Sequence, residues 1–175
     1  MMINLATLVL TCAPLVHPTT LYGLIETESA GNPYAVSINH PQALLRAGRD
    51  VPTFDQPHSR AAALQLISSL TALRFSTSVG LAQINIEHIR DMKISPSDLL
   101  EPCTNLSLAQ RILLECDSAQ GHDTGLPAME RLRRTLTCYN SGRLDGRADN
   151  HYASDVARAA ARRFRRRGFE IREPA

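Results

Sequence analysis

The sequence has no tryptophan, and only four tyrosines and four phenylalanines in 175 residues. Any stacking on a flat ligand therefore falls to tyrosine. Lysine is almost missing as well: Lys93 stands alone among nineteen basic side chains, the others being arginine. Neither sign of charge prevails, because seventeen acidic residues leave a formal net charge of +2. So small a surplus does not by itself imply a nucleic-acid or membrane partner. No long apolar run exists. The longest stretch, Ile3 to Leu10, is interrupted by Asn4 and Thr7, too short and too polar to span a bilayer. There is no Cys-x-x-Cys pair and no His-Glu-x-x-His, so no metal site is expected. Asp145-Gly146-x-x-Asp149 is too short for a calcium loop and reads as a turn. The six histidines are scattered and read as surface residues.

What is present describes a folded chain. A hydrophobic share of 43% and a charged share of 21% suit one compact domain over 1–175. Its core lies at about 12–157, with an arginine-rich helix end and tail over 158–175. The four cysteines, Cys12, Cys103, Cys116 and Cys138, are widely spaced and even in number. Two disulfides or four buried thiols fit that pattern; disulfides would mean an oxidising compartment, with three connectivities open. The N-terminal stretch has no basic start and no Ala-x-Ala, and Val9-Leu10-Thr11-Cys12 is only a faint lipoprotein box. It reads as the first turns of a folded helix, so the chain is expected to be a mature form or to have an upstream start.

Helical signals dominate. Pro18 opens a helix that Gly31-Asn32-Pro33 stops. Residues 33–58, rich in proline, read as loop with a small hairpin. Ser59 caps a helix over Arg60–Phe75, with Leu64, Ile67, Leu70 and Leu73 on one stripe. After the Gly80 segment come short helices near 86–91 and 96–100, the latter opened by Ser95-Pro96. Without its partner motifs, Gly80–Asn85 would be an ordinary glycine-started turn into a helix. Asn105 is read as the cap of a helix to about Ala119. Pro127 opens another to about Asn140, and Tyr152–Arg166 closes the set, with Gly168 beyond it as a stop. The fold class is mainly α, with a small irregular or β-hairpin region near 33–58.

One carboxylate stands out. Leu21, Leu24, Ile25 and Glu28 follow i, i+3, i+4, i+7 spacing, so Glu28 shares the apolar stripe of its helix. Glu26, about 200° away around the helix, faces elsewhere. Apolar neighbours disfavour the charged carboxylate, which keeps a glutamate protonated and able to give its proton to a leaving oxygen.

Three short motifs follow in order: Glu28-Ser29-x-x-Asn32-Pro33, Gly80-Leu81-Ala82-Gln83-Ile84-Asn85 and Tyr139-Asn140-Ser141-Gly142. This set resembles the soluble lytic transglycosylase and goose-type lysozyme superfamily. Cys12-Ala13-Pro14 with His17-Pro18, Pro102-Cys103-x-Asn105 and Cys138-Tyr139-Asn140 resemble, more narrowly, its members attached to type IV secretion and conjugation systems. Some type III secretion muralytic enzymes share the pattern. The resemblance spans roughly residues 12–157. It implies a lysozyme-like domain with Glu28 as the single catalytic acid. Ser29 would hold substrate or the glutamate. Gly80, Leu81 and Gln83 would line the cleft, with the Gln83 amide turned to the sugar N-acetyl groups. Tyr139 and Asn140 would stand near the acid, and Tyr152 would add an aromatic wall. Many relatives carry methionine where Ala82 stands; the smaller residue would widen a sugar subsite, although relatives of the secretion type also tolerate small residues there. By the same resemblance the disulfides are Cys12–Cys103 and Cys116–Cys138.

The implied activity is cleavage of the MurNAc–GlcNAc β-1,4 bond of peptidoglycan, with a 1,6-anhydroMurNAc product and no cofactor. Most glycosidases need two carboxylates, whereas a lone acid suits a substrate that supplies its own nucleophile. An Asp50 or Asp55 that positioned water would make the chain a true lysozyme. A catalytically weak wall-binding scaffold of a secretion system is the third reading. The expected setting is the periplasm or cell envelope, as a monomer acting on glycan strands beside secretion components, with no nucleic acid and no transmembrane span. Tyr22, Tyr34 and Tyr152 are candidates for stacking on sugars. Arg162-Arg163-Phe164-Arg165-Arg166-Arg167 reads first as a helix end favoured by the macrodipole. Contact with an anionic wall polymer or membrane surface is the second reading, and nucleic-acid binding the third.

Overall fold

In the computed structural model, residues 5–90, 92–121, 125–143 and 151–166 are described. Among them are eight α-helices, a 3₁₀ turn and a three-stranded antiparallel sheet, the mainly α, lysozyme-like class expected. The chain divides into two compact units: 1–27 with 107–175, and 28–106. No helix among the described residues is long and apolar enough to cross a membrane.

The first unit holds α1 (Leu5–Cys12), most of α2 (Pro18–Ser29) and of α6 (Pro102–Ser118), then α7 (Ala128–Ser141) and α8 (His151–Arg166). The helical reading of the N-terminal stretch holds, with Val9 and Cys12 buried. Leu21, Leu24 and Ile25 have no exposed surface. Gly23 sits among them because α8 comes close. A Cβ there would overlap the Val156 carbonyl and lie 3.1 Å from the Ala160 Cβ, so no larger residue fits that helix crossing. Arg163 lies 5.1 Å over the Tyr22 ring and 3.9 Å from a Glu26 oxygen. Glu26 thus faces α8, away from the apolar stripe. Cys116 of α6 is bridged to Cys138 of α7 with Cα atoms 5.8 Å apart. Cys12 and Cys103 are disulfide-bonded too, and no free cysteine remains.

The second unit holds α3 (Pro41–Arg46), α4 (Arg60–Ala72), α5 (Pro96–Leu99) and the sheet. Strand β1 is Val36–Ile38, β2 Thr77–Val79 and β3 Ile84–Asn85, in the order β1-β2-β3. The strand expected within 33–58 exists, but its partner is distant in sequence: Val36 faces Val79 and Ile38 faces Thr77. The hairpin is formed instead by β2 and β3, with Val79 opposite Ile84. Helix α3 was not expected, because it starts from His40 in the left-handed region without a side-chain cap. Ser59 caps α4 as expected, accepting from the Ala62 N–H. Ile67 and Leu70 are buried, but Leu73 is the C-cap residue and is exposed, since the helix stops at Ala72. Ser95 and Asp98 form a reciprocal capping box on α5, two orphan backbone donors satisfied at once.

Candidate active site

Glu28 and Ser29 are the last two residues of α2. The helix ends there because Ala30 and Gly31 both adopt positive φ, 50° and 82°, and the Ser29 Oγ accepts the Gly31 N–H at 3.2 Å. Asn32 continues the stop: its Oδ1 accepts the Tyr34 N–H at 2.9 Å, and its Nδ2 donates to the Pro57 carbonyl at 3.0 Å. Glu28 is half-buried, as its place on the stripe below Leu21, Leu24 and Ile25 requires.

Gly80 to Gln83 is the four-residue loop of the β2–β3 hairpin, not a turn leading directly into a helix. Three side chains hold it. The Ser29 hydroxyl donates to the Leu81 carbonyl at 2.8 Å. Asn105 accepts the Ala82 N–H at 2.8 Å and donates through Nδ2 to the Val79 and Leu99 carbonyls, both at 2.9 Å. Gln83 turns its own amide inward: Nε2 donates to the Gly80 carbonyl at 3.0 Å and the Ala35 carbonyl at 3.1 Å, and Oε1 accepts from Ser37 Oγ at 2.8 Å. Both amide hydrogens of Gln83 are therefore engaged with its own chain. Gly80 has φ +84°, and a Cβ on it would overlap the Asn105 amide and lie 2.8 Å from the Leu99 oxygen. Glycine is required there twice over, by backbone conformation and by space.

Two expectations change here. Asn105 is not a helix cap; α6 begins at Pro102, and Asn105 lies inside it with no exposed surface. An asparagine is a natural first candidate for a cap, but its hydrogen bonds go to the hairpin instead. Ala82 is likewise fully buried, so its small side chain fills the interior and opens no subsite on a surface. The sequence reading missed Asn105 and Ser37 as supports of the loop, and also Gln56, which grips both the N–H and the carbonyl of Val36, at 3.0 and 2.9 Å. The only advance signal was Asn105 within Pro102-Cys103-x-Asn105.

Of the remaining candidates, Tyr139 and Asn140 lie in the last turn of α7, half-buried and exposed respectively, and Tyr152 is half-buried in the first turn of α8. These three belong to the first unit, whereas Glu28, Ser29 and Gly80–Gln83 belong to the second. Asp50 lines an open hollow of about 500 Å³ with Arg49, Val51, Pro52, Leu73 and Phe75, without Glu28 or the hairpin loop, and Asp55 is exposed. Asp145, Gly146, Asp149, Arg167 and Gly168 lie outside the described residues, as do the side chains of Phe164, Arg165 and Arg166. Among the described residues no cluster of His, Cys, Asp and Glu could hold a metal ion.

A mainly α, lysozyme-like fold with a glutamate at a helix end beside a braced hairpin loop defines the class. The transglycosylase SLT domain family matches residues 9–161, and the chain belongs to that family. Among curated relatives, protein virB1 of Agrobacterium fabrum is 32% identical over 149 residues, covering 85% of this chain and 56% of its own length. The type IV secretion system protein virB1 of Brucella abortus is 31% identical over 137 residues, 77% of this chain and 52% of its own. Protein virB1 of Rhizobium radiobacter is 30% identical over 149 residues, 85% of this chain and 57% of its own. The chain thus spans about half the length of these relatives. No solved structure matches it.

Proposed function

We propose that this chain is a lytic transglycosylase domain that cuts the MurNAc–GlcNAc β-1,4 bond of peptidoglycan, with Glu28 as its single acid and base. The observation that carries this reading is the placement of Glu28. It ends α2 half-buried on an apolar stripe, and its neighbour Ser29 hydrogen-bonds the Leu81 carbonyl of the hairpin loop. The nearest carboxylate in sequence, Glu26, faces Arg163 on α8, and Gly80–Gln83 contains no acid. One carboxylate cannot supply both the acid and the base or nucleophile of a two-carboxylate glycosidase.

The substrate completes the reaction. Glu28 protonates the oxygen linking MurNAc C1 to GlcNAc as that C1–O bond breaks. The MurNAc acetamido oxygen occupies C1 in the intermediate, and the C6 hydroxyl then displaces it while the Glu28 carboxylate takes the hydroxyl proton. The glutamate ends as it began, one C–O bond is exchanged for another, and no water is consumed. Tyr139, Asn140 and Tyr152 serve as glycan-side supports, with tyrosines standing in for the missing tryptophans. The setting is the periplasm, where the domain opens the wall locally for a type IV secretion apparatus. The likeness to a type IV secretion system protein of Brucella abortus and the oxidised cysteines support that setting.

Digestion of purified sacculi followed by mass spectrometry of the soluble products tests the reading. Anhydro-muropeptides are expected. Products with reducing ends would make the chain a lysozyme, and an absence of products would make it a scaffold.

A further inference from the structure

The Leu81 carbonyl and the Ala82 N–H are the two ends of one peptide group. Ser29 donates to the first and Asn105 accepts from the second, each at 2.8 Å. These two bonds grip one planar unit at both ends, so the plane cannot turn without breaking both. Asn105 itself is pinned by its two bonds to the Val79 and Leu99 carbonyls and by the glycine at position 80, whose missing Cβ leaves room for the amide. The route is continuous: the buried asparagine of α6 fixes the plane, the plane fixes the Ser29 hydroxyl, and Ser29 is joined by a peptide bond to Glu28.

We infer that Asn105 and Ser29 form a pincer on the Leu81–Ala82 peptide, making Asn105 a positioning residue that sets the orientation of Glu28. The inference rests on the assignment of Glu28 as the acid. All members of the pincer are neutral, so it holds its geometry without adding charge beside the carboxyl group. A group that acts only through alignment lowers turnover, because a small misplacement of a reacting atom costs rate steeply. Two residues acting on one plane also give non-additive losses, since breaking either bond already frees the unit.

The test compares wild type with Ser29→Ala, Asn105→Ala and the double variant on uncrosslinked glycan strands. The assay temperature is one at which thermal unfolding shows each variant fully folded. Each single variant is expected to lose about ten- to a hundredfold in kcat/KM, carried by kcat rather than KM. The double variant is expected to fall within about threefold of the worse single one. Losses that multiply, or an Asn105→Ala chain with unchanged kcat, overturn the inference. Amide hydrogen exchange reads the pincer independently of activity. The Ala82 amide is expected to exchange at least about tenfold faster in Asn105→Ala, with amides of α7 unchanged; equal Ala82 rates overturn the inference. If Asn105→Ala does not fold, Ser29→Ala takes its place with Ser29→Thr, which keeps the hydroxyl and is expected to restore both kcat and Ala82 protection. A failed rescue contradicts the pincer. A wild-type chain without glycan products removes the assignment of the reaction, and Ala82 exchange still decides the pincer.

Discussion

The hairpin loop at Gly80–Gln83 and the α6–α7 pair are both fixed in place, but by different chemistry. The loop is held by neutral groups: the amides of Asn105 and Gln83 and the hydroxyls of Ser29 and Ser37. The helix pair is held by a covalent bridge and by ions. Cys116 is bonded to Cys138, and Arg131 grips both carboxylate oxygens of Asp117, at 2.7 and 2.8 Å, while also donating to the Gly121 carbonyl. Within α7, Glu130 receives Arg133 and Arg134. Neutral hydrogen bonds in a buried place depend little on pH or salt, whereas half-exposed ion pairs are screened. The difference separates the two regions by what disturbs them: geometry and space for the loop, redox state and acid for the helices.

The largest expected effect on the loop comes from Gly80→Ala. It forces a non-glycine residue to φ +84° and drives a Cβ into Asn105, and about 3 kcal/mol of stability should be lost in urea unfolding. A loss under about 1 kcal/mol would mean that the loop is not packed as described. Replacing Cys116 and Cys138 together by alanine removes a bridge with a sequence separation of 22 and should cost about 2–4 kcal/mol. Amide exchange should speed up in α7 and stay unchanged at Ala82; the reverse pattern would break the comparison. Ala82→Met, which places a longer side chain at a fully buried position, should destabilise by about 1–3 kcal/mol through overpacking. Unchanged stability would show that the side chain reaches open space after all.

The smallest effect is acid sensitivity of α7. Hydrogen bonds from Arg133 and then Arg134 hold the Glu130 carboxyl at about 2, below its ordinary 4.5. A depressed folded pKa stabilises above the unfolded value, so this contribution is fully present above about pH 4.5 and disappears as pH falls through about 2. Wild type and Glu130→Gln should therefore converge in thermal midpoint toward pH 2. A constant gap across that range would mean the ion pairs contribute nothing.

The same contrast explains what was legible in the sequence. Helices with proline starts and Ser caps were readable because their signals are local: Pro18, Ser59, Ser95 and Pro127 act on their own turn. The spacing that placed Glu28 beside Leu21, Leu24 and Ile25 is also local, and the burial of those three follows it. The sheet was harder. Thr77-Ser78-Val79 is buried at all three positions, so no alternation marks it, and its pairing with Val36–Ile38 is long-range. Asn105 misled for a related reason: its intrinsic preference is for a cap, and only tertiary partners reveal that it braces a distant loop. The resemblance turns the Gln83 amide to the sugar; in the structure that amide is bonded to Ala35, Gly80 and Ser37, partners that no sequence spacing announces. Motif order picked out Glu28-Ser29 and Gly80–Gln83, which meet through the Ser29–Leu81 hydrogen bond, but it did not tell a supporting side chain from a reacting one.

The proposed function gives Glu28 the reacting role, framed by Ser29 and the hairpin loop it bonds. The most direct measurement is glycan-strand cleavage by Glu28→Gln, which keeps the shape and removes the titrating proton, compared with wild type at equal thermal stability. A loss of roughly a thousandfold or more in kcat is expected. Retention of full activity would contradict the assignment of Glu28 as the acid.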